Sequence, residues 1–180
     1  MQNLLMAATS IASEGAMYDA FGDARFPMID ARDISEAAAH VLTTPGHEDK
    51  TYTLTGPKAI TMHDAASALR KALGKPVKYV PIPLQAADEA MAKMGVDEWQ
   101  RGMMADYFTA FNANWNCTAT GDFAAIVGRP PRSIEDFTRD FAGAFRLRPQ
   151  KVHRRIDPRL KSPVPWSVPP QLEMERALNR

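Results

Sequence analysis

An acidic capping pair followed by an apolar repeat is the feature that most constrains how this chain can fold. Asp33 stands three residues before Glu36, a spacing that predicts a helix N-cap and a capping box. The apolar positions behind the pair recur at i, i+3, i+4, i+7 and i+8 and predict one buried helix face: Ile34, Ala37, Ala38, Val41 and Leu42. Pro45-Gly46 ends the helix, and residues 51–55 (TYTLT) predict a strand. The end of a strand, a helix and a second strand follow one another closely in the chain. This succession favours a partly parallel sheet, so we expect an α/β fold.

Capping signals and apolar spacing predict the remaining elements. Thr61 with Asp64, and Ser133 with Asp136, form capping boxes at the starts of two further helices. Gly15 and Gly74 follow predicted helix ends. The predicted helices cover residues 3–13, 61–73, 83–94, 97–115, 123–127 and 133–145, and short strands are predicted near 17–18 and over 77–80.

Composition places most of the chain among ordinary globular proteins. Apolar residues make up 45% and charged residues 24%, and 180 residues suffice for one core. A net charge of +1 gives no general reason to bind nucleic acid or membranes, and no apolar run approaches the ~20 residues that span a bilayer. The single cysteine, Cys117, cannot form an internal disulfide, which favours a reducing, cytoplasmic location.

Residues 147–180 differ in character from the rest. They contain six of the 14 prolines, together with eight Lys or Arg and three Asp or Glu, a net charge of +5. Such composition buries too little apolar surface to offset the ordering entropy. We expect a Pro-rich basic extension that is poorly ordered. Its basic run could touch phosphates, but a solvated tail is the favoured interpretation.

Three stretches together resemble a known family: FPMIDARDISEAAAHVL, KTYTLTGPKAITMHDAASALRKALGKPVKYV and GRPPRSIEDFTRDFAGAF. They are similar to the C-terminal half of NmrA-like proteins, atypical short-chain dehydrogenase relatives that bind NAD(P) on a Rossmann domain. The resemblance runs from residue 1 to about residue 145. It implies that residues 1–146 are a partial NmrA-like domain, the C-terminal part of a Rossmann-type fold with a helical substrate-covering portion. The family's glycine-rich turn is absent, because the ten glycines form no G-x-G-x-x-G pattern.

The resemblance also implies two cofactor-binding residues. Met1-Gln2-Asn3 is similar to the end of the family's F-M-[EQ]-N segment, which lines the nicotinamide end of the pocket, so Gln2 and Asn3 are predicted to contact NAD(P). An amide side chain can donate and accept together, which suits a carboxamide or a ribose. The alternative is a frayed helix start, and neither interpretation is favoured.

An aromatic stripe is the predicted substrate-binding surface. Met104, Tyr107, Phe108, Phe111 and Trp115 keep helical spacing in the part that, by resemblance, covers the substrate. Tyr107, Phe108 and Phe111 are predicted to bind substrate. The competing interpretation, which the spacing alone favours, is that the stripe is ordinary core.

No catalytic residue follows from the sequence. Asp30, Arg32 and Asp33 could grip a ligand, but a local ion pair with a helix cap is the favoured interpretation. The histidines and Cys117 lack metal-site spacing, so we expect no metal. The Y-x-x-x-K couple of typical short-chain dehydrogenases is absent as well.

The function implied by resemblance is that of a fragment of an NAD(P)-binding oxidoreductase acting on a quinone-like or carbonyl substrate and inactive alone. The alternative is an NAD(P)-sensing regulatory protein without turnover. The expected partner is an unidentified small-molecule substrate. We expect no membrane and no nucleic-acid partner, and a homo-oligomer stays open.

Overall fold

The computed structural model describes residues 1–115 and 117–146. A 3-10 helix spans Gln2–Ala7, and the strands are β1 (Ala16–Asp19) and β2 (Lys78–Pro81). The α-helices are α1 (Ala8–Glu14), α2 (Ala31–Thr43), α3 (Met62–Leu73), α4 (Leu84–Lys93), α5 (Glu98–Asn112), α6 (Asp122–Val127) and α7 (Ile134–Asp140). The predicted extension at 147–180 lies outside the described residues. Within the described ranges, no helix combines the length and apolar character that a bilayer crossing requires.

The two strands run parallel, with Ala16 opposite Lys78 and Asp19 opposite Pro81. Parallel strands need a crossover, and this one contains α2 and α3. The α/β fold with parallel pairing is therefore confirmed.

The strand predicted at residues 51–55 is wrong. Within residues 1–115 and 117–146 this segment has no ladder partner, and side chains hold it instead: Asp122 accepts from the Thr53 N–H at 2.7 Å, and the Thr55 hydroxyl accepts from the Thr120 N–H at 2.9 Å. Its β-branched residues favour an extended backbone, but a strand also needs a neighbouring edge.

The main core lies around α3 and α7. Every residue of the α3 stripe is buried (Met62, Ala66, Leu69 and Leu73), and Phe137 and Phe145 are fully enclosed nearby. Both helices begin with the predicted capping boxes, at Thr61 and Ser133. Local sequence signals and burial agree here.

Helix α2 departs from prediction in its cap and in its buried face. Asp30 is the N-cap and accepts from the Arg32 N–H at 2.9 Å, so the predicted Asp33–Glu36 capping box is wrong. Ile34 is 44% and Leu42 84% exposed, whereas Ala37 and Asp33 are the buried residues of the helix. The predicted apolar face is thus largely outside, because the ion pairs of Asp33 described below set the rotation of α2.

Candidate functional site

The carboxyl end of β1 is the candidate site, since ligands of open parallel sheets bind at this edge. Asp19 ends the strand and accepts from the Tyr79 hydroxyl at 2.6 Å and from the Phe21 N–H at 3.0 Å. Burial raises the pKa of Asp19, and the bond from Tyr79 partly opposes this. Burial and the nearby Asp19 carboxylate raise the pKa of Tyr79. The hydrogen bond between Tyr79 and Asp19 therefore fixes the loop after β1, and the raised pKa keeps Tyr79 protonated.

Aromatic rings surround that loop. The ring centroid of Phe21 lies 4.7 Å from Phe108, 5.0 Å from Phe26 and 5.7 Å from Phe111, and the Phe26 and Phe111 centroids are 4.9 Å apart. These distances are those of favourable edge-to-face and tilted contacts. Phe21 and Phe26 were missed from the sequence because loop residues carry no periodicity. Their position just beyond a predicted strand was the available signal.

The predicted substrate stripe on α5 divides into buried and exposed residues. Phe108 is 5% exposed and belongs to the core, packed with Ala20 and Ala87. Tyr107 and Trp115 are 49% and 57% exposed, and each lies 5.7 Å from Phe111 between ring centroids. Tyr107, Phe111 and Trp115 form an aromatic wall beside the loop, in which the central Phe111 is half-buried.

Asn112 joins the wall to the strand end. Its amide nitrogen donates to the Ala20 carbonyl at 2.8 Å. A Cβ on Gly22 would lie 3.0 Å from the Asn112 Oδ1, and the φ of Gly22 is +53°, so glycine suits this turn. The loop and α5 therefore hold each other in place.

The predicted cofactor residues lie elsewhere, at the start of α2. The Gln2 amide donates to Asp30 at 2.8 Å and accepts from the Ala31 N–H at 2.9 Å, so both ends of its amide already have partners. Asn3 is exposed. The cofactor role of Gln2 and Asn3 stays a prediction.

Asp30 and Arg32 form the local ion pair favoured from the sequence. Arg32 Nη2 lies 2.7 Å from Asp30, and Arg32 Nη1 lies 2.9 Å from Asp140. Burial favours a raised pKa for Asp30, but the hydrogen bonds from Arg32 and Gln2 outweigh it and lower the pKa to about 2. This carboxylate stays ionised as a cap and anchor.

Asp33 binds a distant segment of the chain. It is fully buried and accepts from Arg129 Nη2 at 2.8 Å and from the Arg132 N–H at 2.7 Å. Glu36 pairs with the same two arginines. No local signal could have identified Arg129 and Arg132, because they lie nearly a hundred residues further along the chain. The cluster holds α2 to the segment before α7.

The described residues do not fit the pyrophosphate of a dinucleotide. Four of the helix starts are occupied by their own caps, Asp30, Thr61, Asp97 and Ser133, each of which accepts from an amide that could otherwise bind phosphate. Asp33 adds a second carboxylate at the start of α2. Among these residues no group of three or more His, Cys, Asp or Glu could hold a metal ion.

The chain is similar to several reductases, although no family model matches it. It is 38% identical over 145 residues to an NAD(P)H azoreductase from Xenophilus azovorans, covering 81% of this chain and 51% of that protein. It is 31% identical over 156 residues to a (4-alkanoyl-5-oxo-2,5-dihydrofuran-3-yl)methyl phosphate reductase from Streptomyces griseus. That match also covers 81% of this chain and 51% of that protein.

A solved structure gives the same result for the fold. The NADPH complex of an Escherichia coli NADPH-dependent quinone oxidoreductase matches with a TM-score of 0.71 and 25% identity, over 78% of this chain and 50% of that one. The chain therefore spans about half the length of the relatives it matches. The expected resemblance to NAD(P)-binding reductases of Rossmann-type fold is confirmed, over about half of their length.

Proposed function

We propose that this chain is the substrate-facing part of an NAD(P)H-dependent oxidoreductase that acts on a quinone-like or carbonyl substrate. The observation that carries the proposal is the aromatic wall of Tyr107, Phe111 and Trp115 at the carboxyl end of β1. Flat conjugated molecules bind well to aromatic faces and edges. The names of the relatives support this choice, since they specify a quinone, an azo compound and a ring that carries a carbonyl.

The chain's own contribution is binding and orientation. The Asp19–Tyr79 bond and the Asn112–Ala20 bond hold the loop, and Phe21 and Phe108 pack behind the wall. A wall built on fixed elements positions a ligand at low entropic cost. Since the described residues do not fit the pyrophosphate, we propose that the chain alone is inactive.

A chimera tests the proposal. Residues 1–146 would replace the matched segment of the Xenophilus azovorans azoreductase, and NADPH oxidation would be followed with quinone and azo acceptors. We expect turnover, and Phe111→Ala should raise KM by about three- to tenfold, the worth of one aromatic contact. Met94→Ala is the matched control, because Met94 is an exposed apolar residue at the C-cap of α4, outside the aromatic wall.

Two results would count against the proposal. Equal KM changes in both variants would mean that the aromatic wall does not contact the substrate. A chimera that binds NADPH without oxidising it, with any acceptor of either class, would favour the cofactor-sensing alternative.

A further inference from the structure

A groove, here called the α3–β2 groove, runs between α3 and the outer edge of β2. One wall is a single face of α3, whose residues stand three, four and seven positions apart: His63, Ala66, Ser67 and Arg70. The other wall consists of Val77, Lys78 and Tyr79, where β2 begins. Val77 and Tyr79 are buried whereas Lys78 is exposed, so both faces of the strand border the groove, which therefore lies along the strand edge. Its volume is about 200 Å³, several times the roughly 30 Å³ of a water molecule, so side chains can enter it.

The edge of β2 offers backbone hydrogen-bonding groups to this groove. The Lys78 N–H donates to the Gly15 carbonyl on the side of β1. Because backbone groups alternate along a strand, the N–H and C=O of Tyr79 point to the opposite side. Within residues 1–115 and 117–146 no third strand pairs with β2 there. Pro76 and Pro81 lack an N–H and bracket this edge, so it can pair with a short extended segment only.

The groove is also basic. Residues 65–87 contain no Asp or Glu, and their four cationic residues are Arg70, Lys71, Lys75 and Lys78. None of the four forms an ion pair within the described chain. Arg70 and Lys78 are exposed, and both also line a second hollow that continues the groove toward Glu14. The Glu14 carboxylate already accepts from the Tyr18 hydroxyl at 2.8 Å, so an acidic ligand complements the charge of the groove.

We propose that the α3–β2 groove binds an extended acidic segment of a partner protein, which pairs with β2 as a third strand. Main-chain hydrogen bonds to Tyr79 would supply affinity, and side chains would supply specificity, as in other cases of strand addition. Successive side chains of a strand point to opposite faces. Two neighbouring acidic residues of the partner would therefore reach Arg70 on the face of α3 and Lys78 on the other face.

The backbone edge and the charge together select this occupant. A small anion would engage Arg70 and Lys78 but would leave the N–H and C=O groups of Tyr79 without a partner. A second copy of the chain would bring two basic edges together, and like charges on paired strands destabilise the pairing. An acidic extended segment satisfies both features. The inference concerns a protein partner and does not depend on the proposed reaction.

Peptide binding to the full 180-residue chain tests the proposal. The probe is a fluorescein-labelled peptide of sequence Thr-Val-Glu-Glu-Val-Thr, and its matched control is Thr-Val-Lys-Lys-Val-Thr. Fluorescence anisotropy should show saturable binding of the glutamate peptide and at least about tenfold weaker binding of the lysine peptide, since two attractive charge pairs become repulsive. No saturation below about 1 mM glutamate peptide would overturn the proposal.

Charge reversal locates the binding in the groove. Arg70→Glu/Lys78→Glu should reverse the preference, so that the lysine peptide binds more tightly than the glutamate peptide. Lys50→Glu/Lys93→Glu is the control, because these lysines are exposed outside the groove and the change in net charge is the same. All variants keep residues 147–180, so any attraction of that basic segment for the peptide is common to them. Equal effects of the two double variants would overturn the proposal.

Backbone methylation tests the added strand. Only alternate N–H groups of a paired strand point at its neighbour, so N-methylation of one glutamate should abolish binding and N-methylation of the other should be tolerated. Equal tolerance of both would show attraction of charge without strand pairing and would overturn the proposal. A dimer of the chain alone that Arg70→Glu/Lys78→Glu disrupts, measured by light scattering, would assign the groove to a second copy instead. Turnover enters none of these measurements, so their failure is distinct from failure of the proposed function.

Discussion

Two fully buried carboxylates, Asp30 and Asp33, stand three residues apart and have different roles. Asp30 caps α2 and pairs with Arg32, while Asp33 binds Arg129 and Arg132. An ionised carboxylate is costly to bury unless charges and hydrogen-bond donors surround it. Both aspartates meet that condition, so they stabilise the fold as anchors of α2.

Asp30→Asn should lower the free energy of unfolding by about 2 kcal/mol at pH 7, because the pKa of Asp30 falls from 3.8 in the unfolded chain to about 2 in the folded one. A lowered folded pKa stabilises the protein above the unfolded pKa, and that stability is lost as the pH falls toward 2. Urea unfolding at pH 7, 4 and 2.5 should show the two proteins converging at low pH. Asp23→Asn, at a 93% exposed side chain, is the control. A difference that stays constant with pH would contradict the ionic role.

Helix α5 combines core and surface functions on adjacent residues. Phe108 packs against Ala20 and Ala87, whereas Tyr107 turns toward solvent beside Phe111. Adjacent positions on a helix point about 100° apart, so one helix can fill a core and also build a wall. The stripe predicted from spacing is therefore partly core and partly exposed surface.

Phe108→Ala should lower the free energy of unfolding by about 3 kcal/mol, since it empties a buried aromatic site. Tyr107→Ala should cost less than about 1 kcal/mol, because half of that side chain is exposed. Guanidinium unfolding of the two variants compares them directly. Similar costs would mean that Tyr107 is also part of the core.

At the scale of the whole molecule, the main feature is that the described residues form an aromatic wall but no phosphate site. The wall lies at the end of β1, while the capped helix starts and the ten scattered glycines provide no phosphate cradle in the described chain. The described residues therefore offer an aromatic surface but no phosphate cradle.

The 180-residue chain should not bind NADPH or NADH with micromolar affinity. Such affinity needs about 8 kcal/mol. One or two hydrogen bonds from Gln2 and Asn3 would supply only about 0.5–1.5 kcal/mol each. Isothermal titration with both nucleotides measures this, and a dissociation constant in the low micromolar range would show that a phosphate site has been overlooked.

Local signals predicted α3 and α7 well, because a capping box and a following apolar repeat act within a few residues. Thr61 and Ser133 begin their helices as expected, and Leu69 and Phe137 are buried as expected. Only some of the aromatic residues of the candidate site could be predicted from the sequence. Phe108 and Phe111 follow a helical repeat, but Phe21 and Phe26 lie in a loop, where spacing carries no information.

The sequence by itself determined the starts of α3 and α7, the strand positions near Met17 and Tyr79, and the α/β class. These depend on hydrogen bonds and burial between near neighbours in the chain. Only the tertiary structure decided how α2 is rotated, because Arg129 and Arg132 bind Asp33 across 96 and 99 residues. It also left residues 51–55 without a strand partner in the part of the chain that the structure describes. A helix face is chosen by whatever packs against it, and a strand exists only beside another strand.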